Sequence, residues 1–115
     1  MSEKKTQAAP TLTTRQKQFL KGLAHPLNPL VQIGKDELSP GVIETIKTEL
    51  TRHELIKVKI GSNCGLDKNE TSVTLSELTA SALVQLIGKT IVLYKPNPKR
   101  AKDKRILLPK ASVTM

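Results

Sequence analysis

Aromatic side chains are nearly missing from this 115-residue chain, which has one phenylalanine (Phe19), one tyrosine (Tyr94) and no tryptophan. Surfaces that read single-stranded nucleic acid by stacking bases on rings need more than this, so that mode of recognition is disfavoured. Cysteine is equally scarce. Cys64 stands alone, which excludes a disulfide framework and a cysteine-based zinc site and suits a reducing compartment. No stretch approaches the roughly 20 apolar residues of a membrane-spanning helix. The opening Met1-Ser2-Glu3-Lys4-Lys5-Thr6-Gln7 lacks the apolar centre of a signal peptide. The expectation is a soluble, cytoplasmic monomer with no membrane contact, no cofactor and no metal.

Negative charge is the third shortage. Ten Asp and Glu face nineteen Lys and Arg, a formal net charge of +9, and a polyanion is the first partner to consider. The excess is uneven. Thr13 to Lys95 holds eleven basic against eight acidic residues, a net +3, whereas residues 96–115 hold six against Asp103 alone, a net +5. Such an end can neutralise phosphates by counterion release, a salt-sensitive and sequence-independent contribution, or it can be a solubilising, disordered end.

Most apolar residues fall between Thr13 and Lys95, enough for one domain with a core of its own. Thr13-Thr14-Arg15-Gln16 fits a capping box that opens a helix. Phe19, Leu20, Leu23 and Ala24 form its apolar side, and His25-Pro26 ends it. Leu30 to Ile33 reads as a short strand. Ser39 as cap and Pro40 at the first helical position start a second helix with the stripe Val42, Ile43, Ile46 and Leu50. Residues 55–60 then alternate, with Ile56, Val58 and Ile60 inward and Lys57 and Lys59 outward. Strand, helix, strand at this spacing predicts a right-handed parallel crossover.

Residues 61–66 read as a loop. A third helix is expected over about 68–80, although two capping boxes compete there, Asp67 to Glu70 and Thr74 to Glu77. Leu83–Ile87 and Thr90–Tyr94 read as two strands joined through Gly88-Lys89, where glycine at the first central position suits a type II′ hairpin turn. Pro96 and Pro98 stop the last strand. The expected fold is a single α/β (α+β) domain, α-β-α-β-α-β-β, with a four-stranded mixed sheet.

The densest signal lies at Val31-Gln32-Ile33-Gly34-Lys35-Asp36-Glu37-Leu38-Ser39-Pro40. A strand passes through a glycine-opened polar loop into a capped helix, so backbone N–H groups and a positive dipole end are offered to a phosphate. The same arrangement also serves as an ordinary β–α connection.

Leu12-Thr13 with Gln16-Lys17 and Leu20, Ala24-His25-Pro26, Val31 with Gly34, and His53 through Lys59 together resemble the CRM domain (chloroplast RNA splicing and ribosome maturation). So do Val84-Gln85 with Ile87-Gly88-Lys89-Thr90 and Leu93-Tyr94. The whole chain is similar to the stand-alone bacterial, YhbY-type form of that family, from residue 12 to about 110, including Ile106-Leu107-Leu108-Pro109-Lys110. The resemblance implies a fold akin to the C-terminal domain of a translation initiation factor, RNA binding, and association with precursors of the large ribosomal subunit. It divides the chain into a disordered N-terminus (1–11), a CRM-type domain (12–96) and a basic flexible tail (97–115).

One departure stands out. The family pattern has a Gly-x-x-Gly loop between the first strand and the second helix, whereas this chain has Gly34-Lys35-Asp36-Glu37. The change removes a glycine from a position that favours left-handed backbone and sets two carboxylates beside the expected phosphate site.

Catalysis finds little support. His25 and His53 lack a legible nucleophile and orienting group, and both fit the closing turns of helices. The candidate RNA contacts are Gly34 and Lys35 in the loop, Lys17 and Lys21 on the first helix, and Lys57, Lys59, Lys89 and Lys95 on the sheet and its turns. Lys99 and Arg100 of the tail complete the set. Each lysine alone is an ordinary solvated group, and only convergence on one face makes a site. Two other classes of partner remain open: DNA bound through the same charge, and ribosomal proteins contacted by the basic tail.

Overall fold

Local chemistry sets the helix starts. In the computed structural model, which describes residues 11–35, 37–62 and 64–109, α1 (Thr14–Ala24) opens on a complete capping box. Gln16 N–H donates to Thr13 Oγ1, and Thr13 N–H donates to Gln16 Oε1, each at 3.1 Å. After β1 (Val31–Ile33), α2 (Pro40–His53) starts with Val42 N–H donating to Ser39 Oγ at 3.3 Å and Pro40 in its first turn. After β2 (Leu55–Ile60), α3 (Lys68–Thr79) is capped by Asp67, which accepts from Glu70 N–H at 2.9 Å. Of the two competing starts, the earlier is used, and Thr74 lies inside the helix. β3 (Ala82–Ile87), β4 (Thr90–Tyr94) and the short 3-10 helix η1 (Lys102–Lys104) follow.

The sheet runs β1-β2-β4-β3, with β1 parallel to β2 and the other pairs antiparallel. In the β3–β4 turn Gly88 takes φ +57 and Lys89 does not take a positive φ, the pattern of the expected type II′ turn. Both faces of the sheet are covered, unequally. On one, Ile33, Ile56, Val58, Ile60, Ile91 and Leu93 meet Ile46 and Leu50 of α2 and Leu75 of α3. On the other, α1 lays Leu20 and Ala24 over Leu55, Val84, Val92 and Tyr94. α1 spans only part of that second face, and Gln32 and Lys59 lie exposed beyond it.

A β-bulge interrupts β3 between Leu83 and Gln85: Leu83 pairs with Leu93 and Gln85 with Val92, so Val84 is the extra residue. Strict alternation would put Gln85 on the Leu83 face, among the α2 and α3 side chains. The bulge turns it to the α1 side instead.

The segment from residue 97 departs from the flexible tail expected of it. Through Pro109 it lies against the body, with Ile106 and Leu108 packed on the α1-side core and Gln16 Nε2 donating to the Pro109 carbonyl at 3.1 Å. Its anchor is Glu54, the 1 % exposed residue that closes α2. The Glu54 carboxylate accepts from Asn97 N–H (2.8 Å), Arg100 Nη1 (2.9 Å) and Ile106 N–H (2.9 Å). A buried carboxylate must be met by donors, and these three come from the tail, which is why the tail is held. The remainder of that stretch, residues 110–115, and all of the N-terminal segment but Thr11 lie outside the described residues. Burial pushes the nearby Tyr94 phenol above its usual value; the Glu54 carboxylate adds to the rise and the Arg105 guanidinium opposes it.

Candidate nucleic-acid interface

Neither α1 nor any of the four strands contains an aspartate or glutamate. The described acids fall on α2 and its cap, on α3, on η1 and in the loops at Glu37 and Asp67. Positive charge on the α1 side of the sheet therefore meets no carboxylate from α1 or from the strands themselves; the acids next in the chain to Gly34 and Lys35 are those of the loop, Asp36 and Glu37.

The strand register sets the side chains there in rows. Gln32 of β1 pairs with Lys59 of β2, which pairs with Thr90 of β4, which pairs with Ile87 of β3. One step along, Lys57 pairs with Val92, and Val92 with Gln85. Because Val31, Ile33, Val58, Ile91 and Leu86 belong to the α2- and α3-side core, alternation puts Gln32, Lys59, Thr90 and Ile87 on the α1 side. Where α1 stops covering this face, Gln18, Lys21, Gly22, Ala24 and His25 meet Lys57, Gln85, Ile87 and Val92 around a groove of about 410 Å³. Lys17 lies one turn before Lys21 on the same side of α1.

The end of the sheet completes the surface. Gly61 N–H donates to the Ile33 carbonyl, and Ile60 N–H to the Lys89 carbonyl, each at 2.8 Å. Gly34, Lys35 and the Lys89 turn thus share one end of the sheet with Lys59. Lys35 and Lys89 are exposed, and Gly34 is half-buried. Seven of the expected contacts therefore belong together: Gly34, Lys35, Lys17, Lys21, Lys57, Lys59 and Lys89. Lys57 is also structural, since its ammonium donates to the carbonyls of His25 (3.2 Å) and Leu27 (3.0 Å) and so closes the α1 terminus.

The other three are placed elsewhere. Lys95 is half-buried at the far end of β4 and donates to the Thr79 carbonyl at 3.3 Å. Arg100 is paired with Glu54, and Lys99 follows the same turn, its N–H bonded to Asn97 Oδ1. They sit where β2 begins, the length of the strand from Gly34, roughly 17–20 Å at 3.3 Å per residue. Sequence reasoning passed over Gln18, Gln32 and Gln85; the polar positions of alternating strands could have pointed to Gln32, but the bulge hid Gln85.

Glu37 stands where the family pattern has its second glycine, and it adopts φ +54 with its N–H bonded to the Gly34 carbonyl at 3.0 Å. The loop therefore keeps the left-handed turn that glycine adopts freely, at a steric cost of about 1 kcal/mol. Asp36 lies outside the described residues. Glu37→Gly is expected to raise stability by at most about 0.5 kcal/mol, since relief of strain is largely offset by a more flexible unfolded chain. Urea midpoints at unchanged m-value check this, and a loss of stability would contradict it.

His53 Nε2 lies 3.4 Å from Glu49 Oε1 within α2, and His25 closes α1, its N–H bonded to the Lys21 carbonyl. Among the described residues no group of three or more His, Cys, Asp or Glu is placed to hold a metal ion, and no helix is long and apolar enough to cross a membrane.

Comparison with known proteins adds to this geometry. The family model described as CRS1 / YhbY (CRM) domain matches residues 12–95. A Haemophilus influenzae protein named "RNA-binding protein" is 44% identical over 103 residues, covering 87% of this chain and 97% of its own length. Bacillus subtilis "Probable RNA-binding protein YqeI" is 44% identical over 98 residues, 85% of this chain and 99% of its own. Among solved structures, a Staphylococcus aureus protein described as an RNA-binding candidate superposes with a TM-score of 0.71 at 44% identity, covering 86% of this chain and 100% of that one.

Proposed function

The chain belongs to the CRS1/YhbY (CRM) domain family, and from that premise we propose that it is a non-catalytic RNA-binding protein acting on structured ribosomal RNA. Its place of action is the cytoplasm, where as a monomer it associates with precursors of the large ribosomal subunit as an assembly factor. The observation that carries this reading is the acid-free, lysine-bearing side of the sheet, with the Gly34-Lys35 loop at its edge. Two relatives of the same length class are named for RNA binding, and the scarcity of rings favours phosphate and shape recognition over base stacking.

In this mechanism Lys21, Lys59, Lys89 and Lys35 displace counterions from the RNA backbone, while the Gly34 loop admits a phosphate to backbone N–H groups close to the start of α2. The fixed sheet holds these groups in one register, so little ordering is lost on docking. The docked segment through Pro109 serves the fold first, which makes its truncation a poor test of RNA contact.

The test is sedimentation of the tagged chain through a sucrose gradient with sequencing of the RNA in its fractions. Comigration with precursor large-subunit particles, abolished by nuclease, is the expected result. Migration at the top of the gradient, comigration that survives nuclease, or duplex DNA bound as tightly as structured RNA at physiological salt would overturn it.

A further inference from the structure

Five glutamines occur in the sequence, and four lie among the described residues. Gln16 spends its amide on Thr13 and Pro109. The other three, Gln18, Gln32 and Gln85, all fall on the acid-free side of the sheet. Each comes from a different element, and Gln85 reaches that side only because β3 bulges at Val84. A bulge disrupts the ladder locally, and here it exchanges an apolar-facing position for one beside Lys57 and Val92.

A phosphate surface needs cations, and lysine supplies them; amides add little to counterion release. What a glutamine offers is a donor and an acceptor on one short planar group. The ribose 2′-hydroxyl is likewise both donor and acceptor, and it is the group that tells RNA from DNA. The wide, shallow minor groove of an A-form helix displays those hydroxyls between two phosphate rows. The open part of the sheet is itself shallow and has no phenylalanine, tyrosine or tryptophan in its groove, and the four strands of the sheet span roughly 14 Å at about 4.8 Å spacing.

Resting on the reading of this surface as an RNA site, we propose that Gln32 and Gln85 are its specificity-determining residues, contacting ribose 2′-hydroxyls of an A-form duplex laid across the uncovered half of the sheet. The lysines bind any polyphosphate. The two amides make the surface prefer RNA, because a deoxyribose leaves them without their partner.

The experiment measures fluorescence anisotropy of the full chain with one short duplex made three ways: all-RNA, all-DNA, and RNA with one strand 2′-deoxy. The variants are Gln85→Leu and Gln32→Leu. Each is expected to weaken RNA binding about fivefold, the size of one lost hydrogen bond, while DNA binding stays within twofold. The RNA-to-DNA affinity ratio falls accordingly, and in wild type the single-strand deoxy duplex lies between the two pure ones. Lys59→Gln, by contrast, lowers affinity for both duplexes alike. Gln32 is exposed on an edge strand, so its variant keeps the test intact if Gln85→Leu fails to fold. RNA and DNA affinities falling in parallel, or an unchanged ratio with the lysine dependence intact, overturn this inference and leave RNA binding standing. Failure of the wild-type chain to bind the RNA duplex at all sinks both.

Discussion

Glu54→Ala is expected to destabilise the protein by about 3–5 kcal/mol and to free residues 97–109 from the body, the scale at which buried charge pairs respond when one partner is removed. A surface ion pair contributes at most about 1 kcal/mol, and this pair is of a different kind. Glu54 is 1 % exposed, and its carboxylate gathers two backbone N–H groups and the Arg100 guanidinium. Its removal strands all three donors, and its main chain holds φ +66 besides. Glu54→Gln keeps an acceptor but sets an amide N–H₂ against one of the donors, so an intermediate loss is expected. Arg100→Ala leaves the carboxylate with its two backbone partners and is expected to cost about 1–3 kcal/mol. Urea unfolding gives the energies, and amide hydrogen exchange at Ile106 reports the undocking. A loss under about 1 kcal/mol for Glu54→Ala, with protection at Ile106 unchanged, would show that the carboxylate does not hold the segment.

Reversing three lysines together, Lys21→Glu, Lys59→Glu and Lys89→Glu, is expected to weaken binding to structured RNA by at least roughly a hundredfold at physiological salt. The slope of log affinity against log salt should flatten by about 2–3 units, since each phosphate contact contributes nearly one. The comparison variant reverses Lys102 and Lys104, both exposed on η1 and at the opposite end of the sheet; a several-fold loss is expected there. Lys57 is left untouched because a carboxylate facing the carbonyls of His25 and Leu27 would damage α1. Equal losses for the triple and double variants would mean that RNA responds to total charge and not to the acid-free side.

Features that depend on neighbours in sequence were legible in the chain itself. The Thr13/Gln16 box, the Ser39-Pro40 start, the alternation from Leu55 to Ile60 and the Gly88 turn each involve groups two or three residues apart, and each stands in the structure as the pattern predicts. The family resemblance rested on the same segments and is matched over residues 12–95. What could not be read depends on contacts across the chain. Glu54 looks like an ordinary helix-end acid until Ile106, 52 residues on, donates to it. The tail looks like a solvated basic run until Ile106 and Leu108 find the core beside α1. Convergence of lysines had the same character, since only the register joins Lys59 to Gln32 and Thr90; it also removed Lys95, Lys99 and Arg100 from the group.

The odd residue in β3 also means that the strand carries one residue more than its pairing uses. Exchanging Val84 for another small apolar side chain alters a little packing beneath α1. Excising it would leave Leu83, Gln85, Leu86 and Ile87 opposite Leu93, Val92, Ile91 and Thr90 in plain alternation, with Gln85 still facing α1; what goes is one apolar side chain from the layer beneath that helix. At this point the ladder can lose a letter and keep its facings, so Val84 is held for the space it fills and not for the count.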